Sequence, residues 1–208
     1  TSITEFTDGG GDYFTQTDGS DISGNYNGVI NGTSYFAAQD TNGEGASGAL
    51  DMNIENIDIS NLTNLEFSID LAEDDASSGE NWDDNGSNDD DHVHIFYSID
   101  GGAEQNLLWI ENDGTTFNSA PLIDTDFDGI GDGTEITETF VTFTRNISST
   151  GSEMDIRIEF DLRQGDEDIA IDNIEVCGES TVPILLTSPN SVTGLNYFPG
   201  DGPSDARA

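Results

Sequence analysis

Five carboxylates in the run Asp124-Thr125-Asp126-Phe127-Asp128-Gly129-Ile130-Gly131-Asp132-Gly133-Thr134-Glu135 fall at positions one, three, five, nine and twelve of a twelve-residue loop. That spacing is the template of a calcium loop, in which a hard cation gathers about six to eight oxygen ligands. Asp124, Asp126, Asp128, Asp132 and Glu135 would supply side chains, Gly129 permits the sharp turn, and the Ile130 carbonyl adds one more oxygen. A chain this rich in acids also places some of them in register by chance, so a solvated acidic loop stands as the alternative. No flanking helical pattern is visible, and the loop is therefore expected on a β scaffold rather than in an EF-hand.

Other chemistry-bearing groups are sparse. His92-Val93-His94 puts the only two imidazoles on one face of a strand beside Asp90 and Asp91, where they could hold zinc. A catalytic zinc site needs a third ligand and an open position, and no further histidine exists, so surface histidines or an ordinary strand pair are expected instead. No G-x-S-x-G, phosphate-binding loop or Cys-His arrangement occurs, and with acids in excess a glycosidase-like carboxylate pair is uninformative. An enzyme is the least supported class. Sugar binding asks for aromatic rings that stack on pyranose faces, with amides and carboxylates for the hydroxyls. Trp82, Trp109, Tyr26 and Tyr35 are the candidates, with core filling as the competing role for Trp109 and Tyr35.

Composition narrows the partners. The 208 residues carry 43 acids against four arginines (Arg145, Arg157, Arg163 and Arg207) and no lysine, a formal charge of -39. Affinity for phosphate backbones comes mostly from Lys and Arg displacing counterions, so nucleic acid is excluded as a partner. Anionic membranes and sulfated glycans are disfavoured unless a divalent cation bridges the charges. Self-repulsion must be offset by divalent cations or by salt, which points outside the cell or to a saline habitat. With 33% apolar residues and strand-like alternation from end to end, the chain folds rather than staying disordered. The lone Cys177 forms no internal disulfide, so calcium is the expected staple. No segment approaches a membrane span, and a start at Thr1 suits a processed, secreted protein.

Period-two alternation must position these groups. Met154, Ile156, Ile158, Phe160 and Leu162 alternate with Asp155, Arg157, Glu159 and Asp161, which predicts a half-buried strand. Similar patterns run through Leu65-Phe67-Ile69-Leu71, Val93-Ile95-Tyr97, Leu50-Met52-Ile54 and Ile169-Ile171, with further strands expected at 34–38, 106–111 and 139–146. Asp100-Gly101-Gly102 reads as a hairpin turn. No stretch of ten residues shows helical periodicity, so the fold class is all-β: a two-sheet antiparallel β-sandwich of jelly-roll type. Residues 73–91 hold nine acids and no base around Trp82, a long loop that could bind a second cation.

The segments Gly11-Asp12-Tyr13-Phe14-Thr15, Ser34-Tyr35-Phe36-Ala37-Ala38-Gln39-Asp40, Asp91-His92-Val93, Ser98-Ile99-Asp100-Gly101-Gly102 and Ala170-Ile171-Asp172-Asn173-Ile174-Glu175-Val176, with the 124–135 loop, carry a family likeness. Over residues 1–178 the chain resembles the calcium-binding jelly-roll accessory module, MAM-like or carbohydrate-binding-like, of secreted multidomain bacterial proteins. Residues 179–208 read as a linker and the first strand of a following module or an assembly strand, and the part after Pro189, with Val192-Thr193-Gly194-Leu195-Asn196-Tyr197-Phe198 and Gly202-Pro203-Ser204, is similar to the opening of an Ig-like module. The resemblance implies a non-catalytic module with a structural Ca2+ between first and last strands, for which Glu5, Asp40 and Asp172 are the matching carboxylates. The same three could equally be strand-end acids facing solvent.

Two roles emerge as expectations: a secreted, calcium-stabilised module that binds extracellular polysaccharide, or a subunit or spacer of an extracellular filament, surface layer or adhesin. In the second, calcium and strand addition by residues 179–208 would join neighbouring copies.

Overall fold

The computed structural model describes residues 5–7, 11–28, 30–42, 49–74, 82–83, 91–115, 117–163, 165 and 167–180. The expected linker and assembly strand beyond Ser180, and most of the acidic segment 73–91, lie outside the described residues. Among the described residues thirteen strands form in chain order. They are β1 (Phe6–Thr7), β2 (Tyr13–Thr17), β3 (Tyr35–Gln39), β4 (Leu50–Asp58), β5 (Leu62–Ala72), β6 (Trp82–Asp83) and β7 (His92–Ile99). The remainder are β8 (Gln105–Glu111), β9 (Asn118–Ser119), β10 (Leu122–Asp124), β11 (Val141–Ile147), β12 (Glu153–Asp161) and β13 (Asp168–Ser180).

A six-stranded sheet, β1-β2-β3-β13-β5-β11, faces a five-stranded sheet, β10-β8-β7-β12-β4, and every pairing is antiparallel. The all-β sandwich expected from periodicity is the architecture found. Alternation sets which side chains meet: Leu65, Phe67, Ile69 and Leu71 of β5 and Met154, Ile156, Ile158 and Phe160 of β12 point into one shared core and are buried there. Phe14 meets Phe36 and Phe160 edge-on at 4.8 and 5.1 Å between ring centres, tying the two sheets together. At the β7–β8 hairpin, Asp100 (φ 50°) and Gly101 (φ 69°) take the left-handed conformation that a tight turn requires, and Gly102 N donates to Ile99 O at 2.9 Å. The last strand is longer than its apolar pattern foretold. Beyond Ile171 it carries Glu175, Cys177 and Glu179 along β5 with two register shifts, a course that alternation alone does not mark.

A second apolar layer covers the outer face of the six-stranded sheet. Ala37, Ala72 and Ala170 leave room there for Tyr13 and Tyr35, and Ile22, Tyr26, Ile30 and Phe140 close over them. Asn27 N donates to Glu138 O at 2.6 Å and Phe140 N to Asn27 O at 2.9 Å, which fastens the covering segments to each other. Asp168 sits under this cover, with its Oδ1 accepting from Tyr26 Oη at 2.8 Å and Asp74 N at 3.0 Å. Burial, more than the neighbouring Asp74 and Glu167, pushes its carboxyl up to about 7.

Stability should respond to pH through this group. The folded value of about 7 lies above the ordinary 3.8, so the group's contribution is complete below about pH 3.8 and is lost as pH rises through 7. Denaturant titrations in chelator from about pH 5 to 8 should show stability falling with pH; the Asp91 carboxyl, held up at about 8, contributes to the same fall, so the Asp168 share is the difference between native and variant slopes below about pH 7. Asp168→Asn keeps the acceptor oxygen for both bonds and should flatten the fall around pH 7. An unchanged slope in the variant would mean that Asp168 is already ionised in the folded chain.

Candidate functional site

At one edge of the sandwich the sheets part. A cleft of about 600 Å³ opens there, floored by Phe36, Ile171, Met52 and Ile54 and rimmed by Glu5, Gln16, Ser34, Asp172 and Asn173. The rim is ordered by its own hydrogen bonds. Glu5 accepts from Thr15 Oγ1 at 2.9 Å and Gln16 N at 3.1 Å, and Gln16 Nε2 donates to Ser34 Oγ at 3.1 Å. Asp172 accepts from Asn31 N at 2.5 Å and Asn173 N at 2.8 Å, while Asn31 Nδ2 donates to Asn173 Oδ1 at 3.0 Å. An apolar floor with a few fixed polar groups at its margin, in this size range, is the usual make-up of a small-ligand site.

The structure brings Glu5 and Asp172 to this one cleft, but not Asp40. Asp40 lies just past the far end of β3, about 13 Å along the strand from Phe36 at the ordinary rise, in a turn with φ 45°. None of the three belongs to a group of converging metal-ligating side chains among the described residues. Of the carboxylates expected to hold calcium between first and last strands, Glu5 and Asp172 thus line one cleft and Asp40 lies elsewhere.

The aromatic candidates separate as well. Trp82 is fully buried in the main core, with Nε1 donating to Asp168 O at 3.3 Å, and so offers no exposed stacking face. Its polar neighbours in sequence concealed an inward-facing side chain. Tyr26 spends its hydroxyl on Tyr13 and Asp168 and packs edge-on against Tyr35 at 5.6 Å. Tyr35 is 7% exposed, a core residue that also borders the cleft. Trp109 belongs to neither core: it lies half-buried on the outer face of the five-stranded sheet.

Two oxygen-rich groups converge. In the 124–135 loop, Asp124, Asp126 and Asp128 bring ligand oxygens within 4.8 Å of one another. The buried Asp124 carboxylate accepts from the backbone N–H groups of Asp126, Phe127 and Gly129 at 3.0, 2.6 and 2.9 Å, and Phe127 (φ 64°) and Gly129 (φ 87°) make the turn that aims them. Asp128 beside it pushes the Asp126 carboxyl up. Asp132 instead accepts from Thr125 N and Oγ1 at 3.0 and 2.7 Å, Glu135 bridges backbone to Leu122, and the Ile130 side chain rests over Gly114. Three of the five expected carboxylates are thus gathered, and the loop leads into a strand-like bridge at Glu135 rather than into a helix that would return position twelve to position one.

The second group was not singled out by spacing. Asp83, Asp91 and Glu167, 3%, 1% and 2% exposed, place carboxylate oxygens within 4.8 Å of one another. Asp91 accepts from Asp83 N at 2.7 Å and Arg163 N at 3.0 Å, and Asn118 Nδ2 donates to Asp83 Oδ1 at 2.9 Å. Burial first, and then the Glu167 and Asp83 charges against backbone hydrogen bonds, holds the Asp91 carboxyl up at about 8. Its members come from β6, the residue before β7 and the residue before β13; only the density of acids in 73–91 hinted at them.

On the outer face of the five-stranded sheet, register lays side chains in rows. Asp124, Trp109, His94, Glu159 and Asp51 are successive cross-strand neighbours from β10 to β4, with Glu111, His92 and Asp161 in the next row. Trp109 stacks on His94 at 3.8 Å and 16°, and His94 stacks on His92 at 4.1 Å and 27°. Phe127 meets the edge of Trp109 at 5.6 Å, joining the acidic loop to this face. Burial holds the His94 imidazole down at about 4. Arg157 lies over Phe96 at 4.5 Å and pairs with Asp51, Glu104 and Glu159 at 2.7–2.8 Å.

No protein-family model and no curated protein matches the chain. Among solved structures it is similar to the carbohydrate-binding module TmCBM61, described in complex with β-1,4-galactotriose, at 13% identity over 72% of this chain and 73% of that one, with a TM-score of 0.39. It is similar to a Stig cyclase from Fischerella sp. TAU at 16% identity over 88% and 79% of the two chains, TM-score 0.44. A third likeness is to a family 16 carbohydrate-binding module, at 13% identity over 72% and 79%, TM-score 0.34.

Proposed function

We propose that this chain is a non-catalytic, extracellular binding module that takes neutral carbohydrate in the cleft between its sheets and is rigidified by calcium. The cleft carries the reading: an apolar floor for the carbon face of a sugar lies beside carboxylate and amide groups held in place for its hydroxyls. The net charge of -39 supports a neutral ligand, since a polyanion would be repelled. Calcium enters as a stabiliser. Asp83, Asp91 and Glu167 form a hard-oxygen group whose mutual repulsion a divalent ion would relieve, and Asp124, Asp126 and Asp128 form a more open second one.

Binding to a panel of soluble neutral polysaccharides, measured by affinity electrophoresis and calorimetry in calcium, tests the cleft. Glu5→Gln should weaken binding about 10-fold or more, the loss expected for a hydrogen bond to a charged group, while Trp109→Ala should leave it unchanged. Loss with Trp109→Ala and none with Glu5→Gln would move the ligand to the outer sheet face and overturn the cleft.

Calcium removal makes a separate test. Melting temperature should rise with calcium, and Asp126→Ala with Asp128→Ala should lower it in calcium but not in chelator. A site filled at 100 times its Kd contributes about 2.7 kcal/mol. Equal losses in calcium and in chelator would show that these carboxylates act only through their hydrogen bonds.

A further inference from the structure

The chain's only two histidines meet two carboxylates that the sequence order keeps far apart. His92 and His94 stand two residues apart on one face of β7, and the neighbouring strands complete the set: Glu111 of β8 lies opposite His92, and Glu159 of β12 lies opposite His94. The contacts then run diagonally. His94 Nε2 bonds Glu111 Oε1, and His92 Nε2 lies 3.6 Å from Glu159 Oε1. Ligand atoms of His92, His94 and Glu111 all fall within 4.8 Å of one another. We propose that His92, His94, Glu111 and Glu159 form a binding site for a zinc-class transition-metal ion on the outer face of the five-stranded sheet.

Donor chemistry selects the metal. Two imidazole nitrogens with two carboxylate oxygens suit Zn2+ and its borderline neighbours, whereas Ca2+ takes oxygen alone. Zinc bonds of about 2.0–2.1 Å in a tetrahedron set ligand atoms about 3.4 Å apart, so an ion would draw His92 in by rotating its ring out of the stack on His94 and would open the direct His94–Glu111 contact. Neighbouring groups already orient the ligands. Trp109 stacked at 3.8 Å fixes the His94 ring plane, and Arg157 holds Glu159 Oε2 at 2.7 Å, which directs Oε1 to His92. Asp161, also opposite His92, is drawn away by a two-point contact with Arg163 at 2.6 and 2.7 Å. The His92 and His94 side chains keep 20% and 13% exposure, so an ion reaches them from solvent. Bound there, it ties β7, β8 and β12 together across their free face. The inference stands independently of the sugar-binding reading.

Zinc titration of the whole chain by calorimetry, in excess calcium and without sugar, tests the site, because calcium then fills oxygen-only groups and does not displace imidazole. One tight equivalent of zinc is expected. His92→Gln and His94→Gln should each weaken it at least about 100-fold, given that partners outside a coordination sphere are themselves worth about 10–100-fold. Calcium-dependent melting should be unaltered in the His92 variant, the more exposed and so the safer of the two to fold. Co2+ in the native chain should give the visible absorption of four-coordinate, nitrogen-bearing ligation, and zinc should shift the imidazole proton resonances of both histidines. Zinc uptake that is equal in native and His92→Gln chains, or imidazole resonances that do not move, would assign the ion to diffuse acidic surface and overturn the site.

Discussion

An acid excess without lysine governs how this molecule is built: carboxylates outnumber cationic side chains by 43 to four, so there is not a cation for each of them. Isolated buried charges are costly unless paired or hydrogen-bonded. Backbone amides take the place of the missing bases. The buried Asp124 receives three backbone N–H groups and the buried Asp91 two, and the same pattern recurs nearer the surface, where Asp172 accepts from two and the exposed Asp100 accepts from Ser152 N and Glu153 N at 2.9 and 3.0 Å. Each of these carboxylates sits at a strand end, turn or register shift, where the chain has amides left over from the ladders. The turns are thereby fixed in shape by the very charges that would otherwise push them apart.

Two of the arginines, Arg157 and Arg163, are used where amides are scarce. On the outer sheet face the backbone groups are committed to the ladder, and there Arg157 pairs with three carboxylates and covers Phe96, while Arg163 holds Asp161. A partly buried cation among several acids relieves more repulsion than one on an open surface. This division separates the chemistry of the molecule by place. Oxygen-only clusters form on loops at the sheet ends, and mixed nitrogen and oxygen groups form on the flat of the sheet.

Much of the fold was legible because two-residue periodicity has a direct physical cause. Met154, Ile156, Ile158 and Phe160 read as one buried face and are one, and the Asp100-Gly101 turn read as a hairpin because only particular residues accept its backbone angles. The sites were legible to a lesser degree. Spacing within a loop can bring Asp124, Asp126 and Asp128 together, but position twelve of a calcium loop depends on the element into which the loop runs, and here a β-bridge at Glu135 carries that residue away. Trp82 misled for a related reason: a run of acids and amides looks solvated, yet one large apolar group within it can anchor the run to the core. Asp83, Asp91 and Glu167, like His92, His94, Glu111 and Glu159, are brought together by pairing between distant segments, and that register is not encoded in any local pattern.

Cross-strand register therefore gathers the proposed metal-binding side chains of the outer sheet face, in the way that short motifs gather ligands elsewhere. A sheet face repeats its side chains on a lattice of about 4.8 Å between strands and about 6.6 Å along them, so any two-residue alternation that places a ligand on one strand sets it opposite ligands on two more. His94 has Trp109 on one side and Glu159 on the other for this reason alone. Sliding β12 by one residue would bring Ile158 or Phe160 to that position and turn the acids inward. The core forbids that slip, because it would expose the apolar face of β12 to water. The burial that selects the register of the sandwich thus also assembles the polar constellation on its outer face.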